Sequence, residues 1–330
     1  MRIYSIQSLR FIAALLVVYY HAANLAHLKF GDFGSIGNPG AQIGPVGVDI
    51  FFVISGFIMF RTARDLSAAT FLRRRAQRIL PLYAALALPY TLVAAIQAPF
   101  GWRDLLATCL LWPATDRLTM PTVPVAWTLC FEAVFYEAFA LTLWRPKLIW
   151  ILAPLYLTSL CLPSIPVMRF VGNPVILEFL AGGALASLPQ WRPAKLGILA
   201  GSTILLSEYM MHAPISQLSN LTWSGLESWN RVFYFGIPAT LIVWGTTQLD
   251  IPNGVTAYLG DTSYALYLFH PALAAFAINQ VAFPLHLPTD LAIIAAILAS
   301  ILISWRIHEL FEKPMLKYFK LVDRGASQRT

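Results

Sequence analysis

Two residues in the first apolar run carry chemistry that hydrocarbon tolerates only at a cost. In SLRFIAALLVVYYHAANLAH, which begins at Ser8, Arg10 stands eleven residues before His21. Eleven residues turn an α-helix through about 1100°, which is three turns and roughly 20°. The two side chains therefore share a face, about 16 Å apart along the axis. An ionisable group inside a bilayer normally faces a protein interior or a functional cavity. An imidazole there is suited to general-base chemistry and a guanidinium to holding an anion. The plainer reading makes Arg10 a snorkelling anchor and His21 a packing residue with a satisfied hydrogen bond.

Three further stretches repeat the pattern. In GPVGVDIFFVISGFIMF, Asp49 falls in the first turn of a helix, where a carboxylate suits the positive end of the dipole. An acid beside a histidine can also fix its tautomer, which makes Asp49 a candidate partner for His21. Ser55 and Gly56 allow close helix approach. In FLRRRAQRILPLY, Arg73, Arg74, Arg75 and Arg78 precede an apolar run. Arg75 and Arg78, three apart, project from one face and suit a phosphate, with Arg74 beside them; a topology signal alone would also account for arginine here. In PVAWTLCFEAVFYEAF, Glu132 and Tyr136 share a helical face, Glu137 points elsewhere, and Trp127 lies five residues before Glu132. A buried glutamate is costly unless it is paired or wet. His270, flanked by Tyr267 and Pro271, could line the same cavity, or Pro271 could matter only for a kink. Glu178 lies in another apolar run, while Glu309 and Glu312 near the inner surface suit bridges to basic residues. His27, His212 and His286 fall in or near loops. Trp223, Trp229 and Tyr234 could stack on sugar faces or belong to an interfacial belt.

The elements that must position these groups follow from composition. The chain has 330 residues, of which 58% are hydrophobic and 12% charged; a soluble domain carries about a quarter charged residues. The expected class is an all-α polytopic membrane protein of one domain. Ten spans are predicted, at 6–28, 47–60, 79–97, 125–144, 148–162, 175–189, 195–211, 232–249, 262–282 and 291–311, with a short cytoplasmic tail at 315–330. The stretch from Trp102 to Trp112 is too short to cross and is expected to be re-entrant or interfacial. With the N-terminus inside, sixteen of the 23 Lys and Arg fall in inner segments, five fall in outer ones, and Arg10 and Arg306 lie within spans. That bias predicts an N-in, C-in protein and accounts for most of the +7 charge without a nucleic-acid partner. Cys109, Cys130 and Cys161 are isolated, so neither a disulfide framework nor a metal site is expected. The first run has small residues near its end but continues into other spans, and it is expected to stay attached rather than to be cleaved as a leader.

Taken together, LRFIAALLVVYYH, GVDIFFVISGFIM, FLRRRAQRILPLY and WTLCFEAVFYEAF resemble the acyltransferase-3 family of bacterial membrane acyltransferases, and most of all its exopolysaccharide O-acetyltransferases. LGDTSYALYLFHP (259–271) and HELFEKP (308–314) are similar to the same family, and the resemblance runs from about residue 5 to 318. It implies that Arg10 and His21 are the family's arginine–histidine pair, with His21 essential for transfer. It places the donor-contacting arginine pair on Arg75 and Arg78 and the glutamate-bearing helix on Trp127, Glu132 and Tyr136. The activity implied is transfer of an acyl group, most simply acetyl, from cytoplasmic acyl-CoA to a hydroxyl of an extracytoplasmic or lipid-linked glycan.

On that reading His21 and Arg10 carry the chemistry, with Asp49 and Glu132 as partners. Arg75, Arg78 and Arg74 bind the donor, and Trp127, Tyr136, Tyr267 and His270 line the cavity. Acyl-CoA is a co-substrate and no cofactor is held permanently. The setting implied is the bacterial cytoplasmic membrane, with polysaccharide-assembly proteins as further partners. Direct transfer and an acyl-enzyme both stay open. A transporter or flippase for a lipid-linked sugar is the competing class, since intramembrane polar groups also mark transport paths; no internal repeat of the kind many transporters show is visible. A structural subunit of an export machine would leave the Arg10–His21 register unexplained.

Overall fold

The computed structural model describes residues 3–97, 99–189, 192–211 and 228–327, and among these the chain is helical, without a named strand. His212 and Trp223 lie outside the described residues. The first helix, α1 (Tyr4–Phe30), is 27 residues long, about 40 Å at 1.5 Å per residue. It stops at Gly31, whose φ of 85° lets its N–H turn back to the His27 carbonyl; glycine adopts that left-handed conformation without steric cost. A short α2 (Gly37–Ile43) leads directly into α3 (Val46–Thr62), and α4 (Ala68–Gln97) follows with Pro81 and Pro89 inside it.

The eight-residue α5 (Trp102–Cys109) is too short to cross, as expected of the stretch from Trp102 to Trp112. In the same loop Arg103 donates two hydrogen bonds of 2.6 Å to Asp116. Those bonds hold the Asp116 carboxyl well below the usual carboxylate range. Next come α6 (Trp127–Trp144), α7 (Ile149–Leu160), α8 (Pro166–Val171), α9 (Ile176–Leu185) and α10 (Leu196–Met210). Beyond residue 228 lie α11 (Ile237–Thr247), α12 (Val255–Asp261), α13 (Ser263–Phe276), α14 (Thr289–Ile307) and α15 (Lys313–Ser327). Wider π turns precede α11 at Val232–Gly236, extend α13 at Ala277–Ala282, and join α14 to α15 at His308–Glu312.

Among the described residues, six helical stretches are long and apolar enough to cross a membrane: Tyr4–Phe30, Gly37–Thr62, Ala68–Gln97, Pro124–Trp144, Ser263–Ala282 and Thr289–Asp323. The other four predicted spans correspond to α7, α9, α10 and α11, which hold 12, 10, 15 and 11 residues. α7, α9 and α10 rise roughly 15–23 Å, short of the approximately 30 Å hydrocarbon core, whereas α11 continues the helical stretch that begins at Ser228 and runs through the π turn to Thr247.

The tightest helix contact is between α3 and α9, and glycine makes it. A Cβ on Gly56 would run into the Phe179 carbonyl, and one on Gly182 into the Val53 carbonyl, so each backbone lies in a notch of the other. Ser55, expected to share that role, turns instead toward α6. Around this seam Phe179 packs against Phe52 and Phe135, with ring centroids 4.7 and 4.6 Å away. The helix α1 runs through the middle of the molecule, against α2, α3 and α12 to α14.

Candidate active site

The Arg10 face of α1 opens onto an internal cavity of about 200 Å³ lined by α1, α3, α4, α6 and α13. On α3 the lining comes from Val48, Phe51, Phe52 and Ser55, and on α6 from Thr128, Leu129, Glu132 and Tyr136; each set follows the i, i+3/i+4 stripe of one helix face. Three guanidiniums, Arg10, Arg75 and Arg78, face this space with one carboxylate, Glu132. Ser55 donates to Glu132 Oε1 at 2.9 Å and Tyr136 to Oε2 at 3.0 Å, so both carboxylate oxygens are engaged. The Arg75 guanidinium carbon lies 5.5 Å from the centroids of both the Tyr136 and Phe71 rings, a cation–π clamp that fixes its direction. Tyr264 and Tyr267 complete the wall, with the Tyr267 hydroxyl 3.0 Å from Thr128 Oγ1 and 3.1 Å from the Val125 carbonyl.

Arg74 is elsewhere. It is exposed, and with Arg73 and Gln77 it faces a crevice against α15, where Asp323 lies 3.5 Å from Arg73 and accepts from Gln77 at 3.4 Å. One residue is about 100° of helix rotation, enough to move Arg74 off the cavity face that Arg75 and Arg78 share. Arg78 lines the cavity, the crevice and a third space. That space is a basin of about 1260 Å³ at the N-terminal end of α1, lined by Ile3 and Gln7, by Arg61 and Arg64, and by Lys313, Lys317 and Lys320. Counting Arg78, six Lys and Arg line it against Asp261 and Glu312. The cavity and the basin share Gln7, Ile58 and Arg78. Glu309 bridges Lys313 at 2.9 Å as expected, while Glu312 pairs with His308 at 2.8 Å and is buried.

His21 lies beyond this cavity. Its Nδ1 is 2.9 Å from the Val17 carbonyl and 3.1 Å from Nε2 of His270. His270 Nδ1 is in turn 2.7 Å from the Tyr267 carbonyl and 3.2 Å from that of Leu266. His270 is fully buried and is not part of the cavity lining; its place is against His21. Phe51 and Tyr267 meet in the cavity wall with ring centroids 5.7 Å apart, and the Tyr267 ring is 6.0 Å from that of His270.

Asp49 is not beside His21 either. It sits one residue off the cavity face of α3 and accepts a 2.7 Å hydrogen bond from Arg231, the two side chains being 0% and 2% exposed. Arg231 also donates to the Pro45 carbonyl at 3.3 Å, and its guanidinium lies 5.5 Å from the Trp127 and Phe235 rings. Trp127 therefore covers Arg231 instead of lining the cavity. Glu178, buried against Gly236, adds a second carboxylate within electrostatic reach of Asp49 and Arg231. Arg231 is one of the five Lys and Arg that the charge bias assigns to outer segments. The available signal was two unpaired acids in apolar runs, Asp49 and Glu178, which together require a cation.

The architecture is that of a polytopic membrane protein with a cation-lined interior cavity. Residues 3–309 match the acyltransferase-3 family, described as an acyltransferase domain, and the chain belongs to that family. It is thus an acyltransferase, which decides between enzyme and transporter. Among characterised proteins, it is 30% identical over 313 residues to the exopolysaccharide production protein ExoZ of Rhizobium meliloti (strain 1021), over 87% of this chain and 92% of the relative. It is 25% identical over 316 residues to the acyltransferase MdmB of Streptomyces mycarofaciens, over 82% of this chain and 78% of that one. No solved structure matches the chain.

Proposed function

We propose that the protein is a transmembrane O-acyltransferase that moves an acetyl group from cytoplasmic acyl-CoA to a hydroxyl of an extracytoplasmic or lipid-linked glycan, in modification of a cell-surface polysaccharide. The observation that carries the reading is the continuity of cationic space. A basin edged by six Lys and Arg narrows at Arg78 into a cavity holding Arg75 and, from the helix that carries His21, Arg10. Coenzyme A brings several phosphate charges on a long, narrow arm. The basin suits its nucleotide, through charge-assisted hydrogen bonds to arginine and lysine, and the cavity suits the arm.

The basin joins the start of α1, the end of α3, the start of α4 and the start of α15. That supports placing both termini on one side, the cytoplasmic one by the Lys and Arg bias, with ten crossings of the bacterial cytoplasmic membrane. The name of the Rhizobium relative supports exopolysaccharide as the acceptor class.

In the reaction, His21 Nε2 takes the proton of the acceptor hydroxyl as that oxygen attacks the thioester carbonyl. The tetrahedral intermediate collapses with cleavage of the carbon–sulfur bond, and the leaving thiolate takes the proton from the His21 imidazolium. Ester and free CoA are the products. Arg10 and Glu132 act at the thioester end of the cavity. Phe51 and Tyr267 part to let the acyl group reach His21. Arg74 serves the outer rim of the donor site.

The test uses labelled acetyl-CoA with inverted membrane vesicles containing the native glycan, comparing wild type with His21→Ala at matched expression. Ester-linked label on the glycan from wild type alone is expected. Equal transfer by both would remove His21 from the mechanism. Label from succinyl-CoA and none from acetyl-CoA would change the acyl group assigned.

A further inference from the structure

The mechanism proposed above needs His21 to present a bare ring nitrogen to the acceptor, and the structure contains a device that decides which nitrogen is bare. We infer that His270 is the positioning residue of the transfer: it locks His21 in the tautomer whose Nε2 is unprotonated, the part a carboxylate plays beside the histidine in many hydrolases. The inference rests on His21 being the base.

The argument is a count of hydrogens. A carbonyl oxygen only accepts, so a ring nitrogen at hydrogen-bond distance from one must carry a proton. His270 Nδ1 stands 2.7 Å from the Tyr267 carbonyl, so Nδ1 is the protonated nitrogen. His21 Nδ1 stands 2.9 Å from the Val17 carbonyl, so it too is protonated. The remaining contact, His270 Nε2 to His21 Nδ1 at 3.1 Å, then has one consistent reading: Nε2 is a bare acceptor and His21 Nδ1–H is shared between it and Val17. A proton on His270 Nε2 would set N–H against N–H across that distance. His270 is therefore neutral in the resting pair, and the one proton of neutral His21 is held on Nδ1, leaving Nε2 free. When His21 takes the acceptor's proton its Nδ1–H becomes a stronger donor, and the waiting lone pair of His270 stabilises the imidazolium.

The backbone arranges both rings. Each Nδ1 reaches a carbonyl three or four residues back in its own helix, and the rings then meet edge to face, with centroids 4.7 Å apart and planes at 63°. Full burial of His270 keeps water from competing for its Nε2.

Three substitutions separate positioning from packing. Gln carries an amide oxygen at the reach of Nε2 and can accept from His21. Asn reaches only to the place of Nδ1, and Leu offers nothing. In the vesicle assay with acetyl-CoA and the native glycan, His270→Leu and His270→Asn are expected to lower kcat about 10–100-fold, as loss of an orienting partner does at metal-bound histidines. The KM for acetyl-CoA should stay unchanged, and His270→Gln should recover most of the rate. Nitrogen-15 spectra of histidine-labelled protein, with the His21 signals assigned by their loss in His21→Asn, should show Nδ1 protonated and Nε2 bare. His270→Leu should give a mixture of tautomers. The inference is overturned if His270→Leu transfers at the wild-type rate while His21→Ala is dead, if Gln is as slow as Leu, or if His21 in wild type carries its proton on Nε2. Full transfer by His21→Ala would remove the base, and this inference with it.

Discussion

Arg78 lies where the basin, the cavity and the crevice against α15 meet, so removing its charge is the sharpest test of where the donor phosphates sit. The perturbation is Arg78→Gln, which keeps length and polarity. A hydrogen bond from a charged group contributes about 1.5–3 kcal/mol, and each 1.4 kcal/mol is about a factor of ten. Affinity for CoA should therefore fall roughly 10–100-fold. Lys320, exposed on the rim of the same basin, is the comparison. A screened surface charge contributes about 0–1 kcal/mol, so Lys320→Gln should cost no more than about fivefold. Both losses should shrink with added salt, the Lys320 effect first, because exposed pairs are screened more readily than enclosed ones. The assay is isothermal titration of CoA into purified protein in nanodiscs, with no acceptor present, so that binding is read apart from transfer. His21→Ala should bind CoA as wild type does. Unchanged affinity in Arg78→Gln, or a larger loss in Lys320→Gln, would refute the placement of the phosphates at the mouth of the cavity.

Glu132→Gln gives the carboxyl site a donor where Ser55 or Tyr136 now donates. One hydroxyl loses its acceptor at a cost of about 1–3 kcal/mol, visible as a lower thermal midpoint, and Glu132→Asp should retain more stability than Gln. Gly56→Ala pushes a methyl into the Phe179 carbonyl and should lower the midpoint by several degrees or abolish folded expression. Gly101→Ala, where the nearest atom to a new Cβ is an Asp104 side-chain oxygen at 3.8 Å, should be neutral in the same melts. Arg231→Met strands Asp49 and Glu178 and should destabilise by about 3–5 kcal/mol, the cost of leaving buried charge unpaired. Adding Asp49→Asn and Glu178→Gln should recover a large part of that loss, and additive losses across the three changes would show that the charges do not act as a unit.

Several parts of this arrangement were legible in the sequence because they depend on one helix at a time. The pairing of Arg75 with Arg78 and the stacking of Glu132 beneath Tyr136 both follow from rotation per residue. What failed was phase between helices. Asp49 differs from cavity-facing Val48 by a single residue, and no pattern within α3 says which of the two looks inward. The same ambiguity placed Trp127 and His270 on the cavity wall, where the structure gives one to Arg231 and the other to His21. His270 and His21 are 249 positions apart, a contact that local periodicity cannot reach.

The Phe51–Tyr267 layer has a consequence for the cell as a whole. The proposed transfer brings substrates from both sides of a membrane, and Arg10 and Glu132 in the cavity with His21 beyond it set polar groups along a line that protons could follow. Aromatic rings 5.7 Å apart, with the tyrosine hydroxyl tied to Thr128 and to the Val125 carbonyl, set ring carbon on that line. Under the proposed function, a closed layer of this kind would keep protons from following the path along which the acyl group is passed.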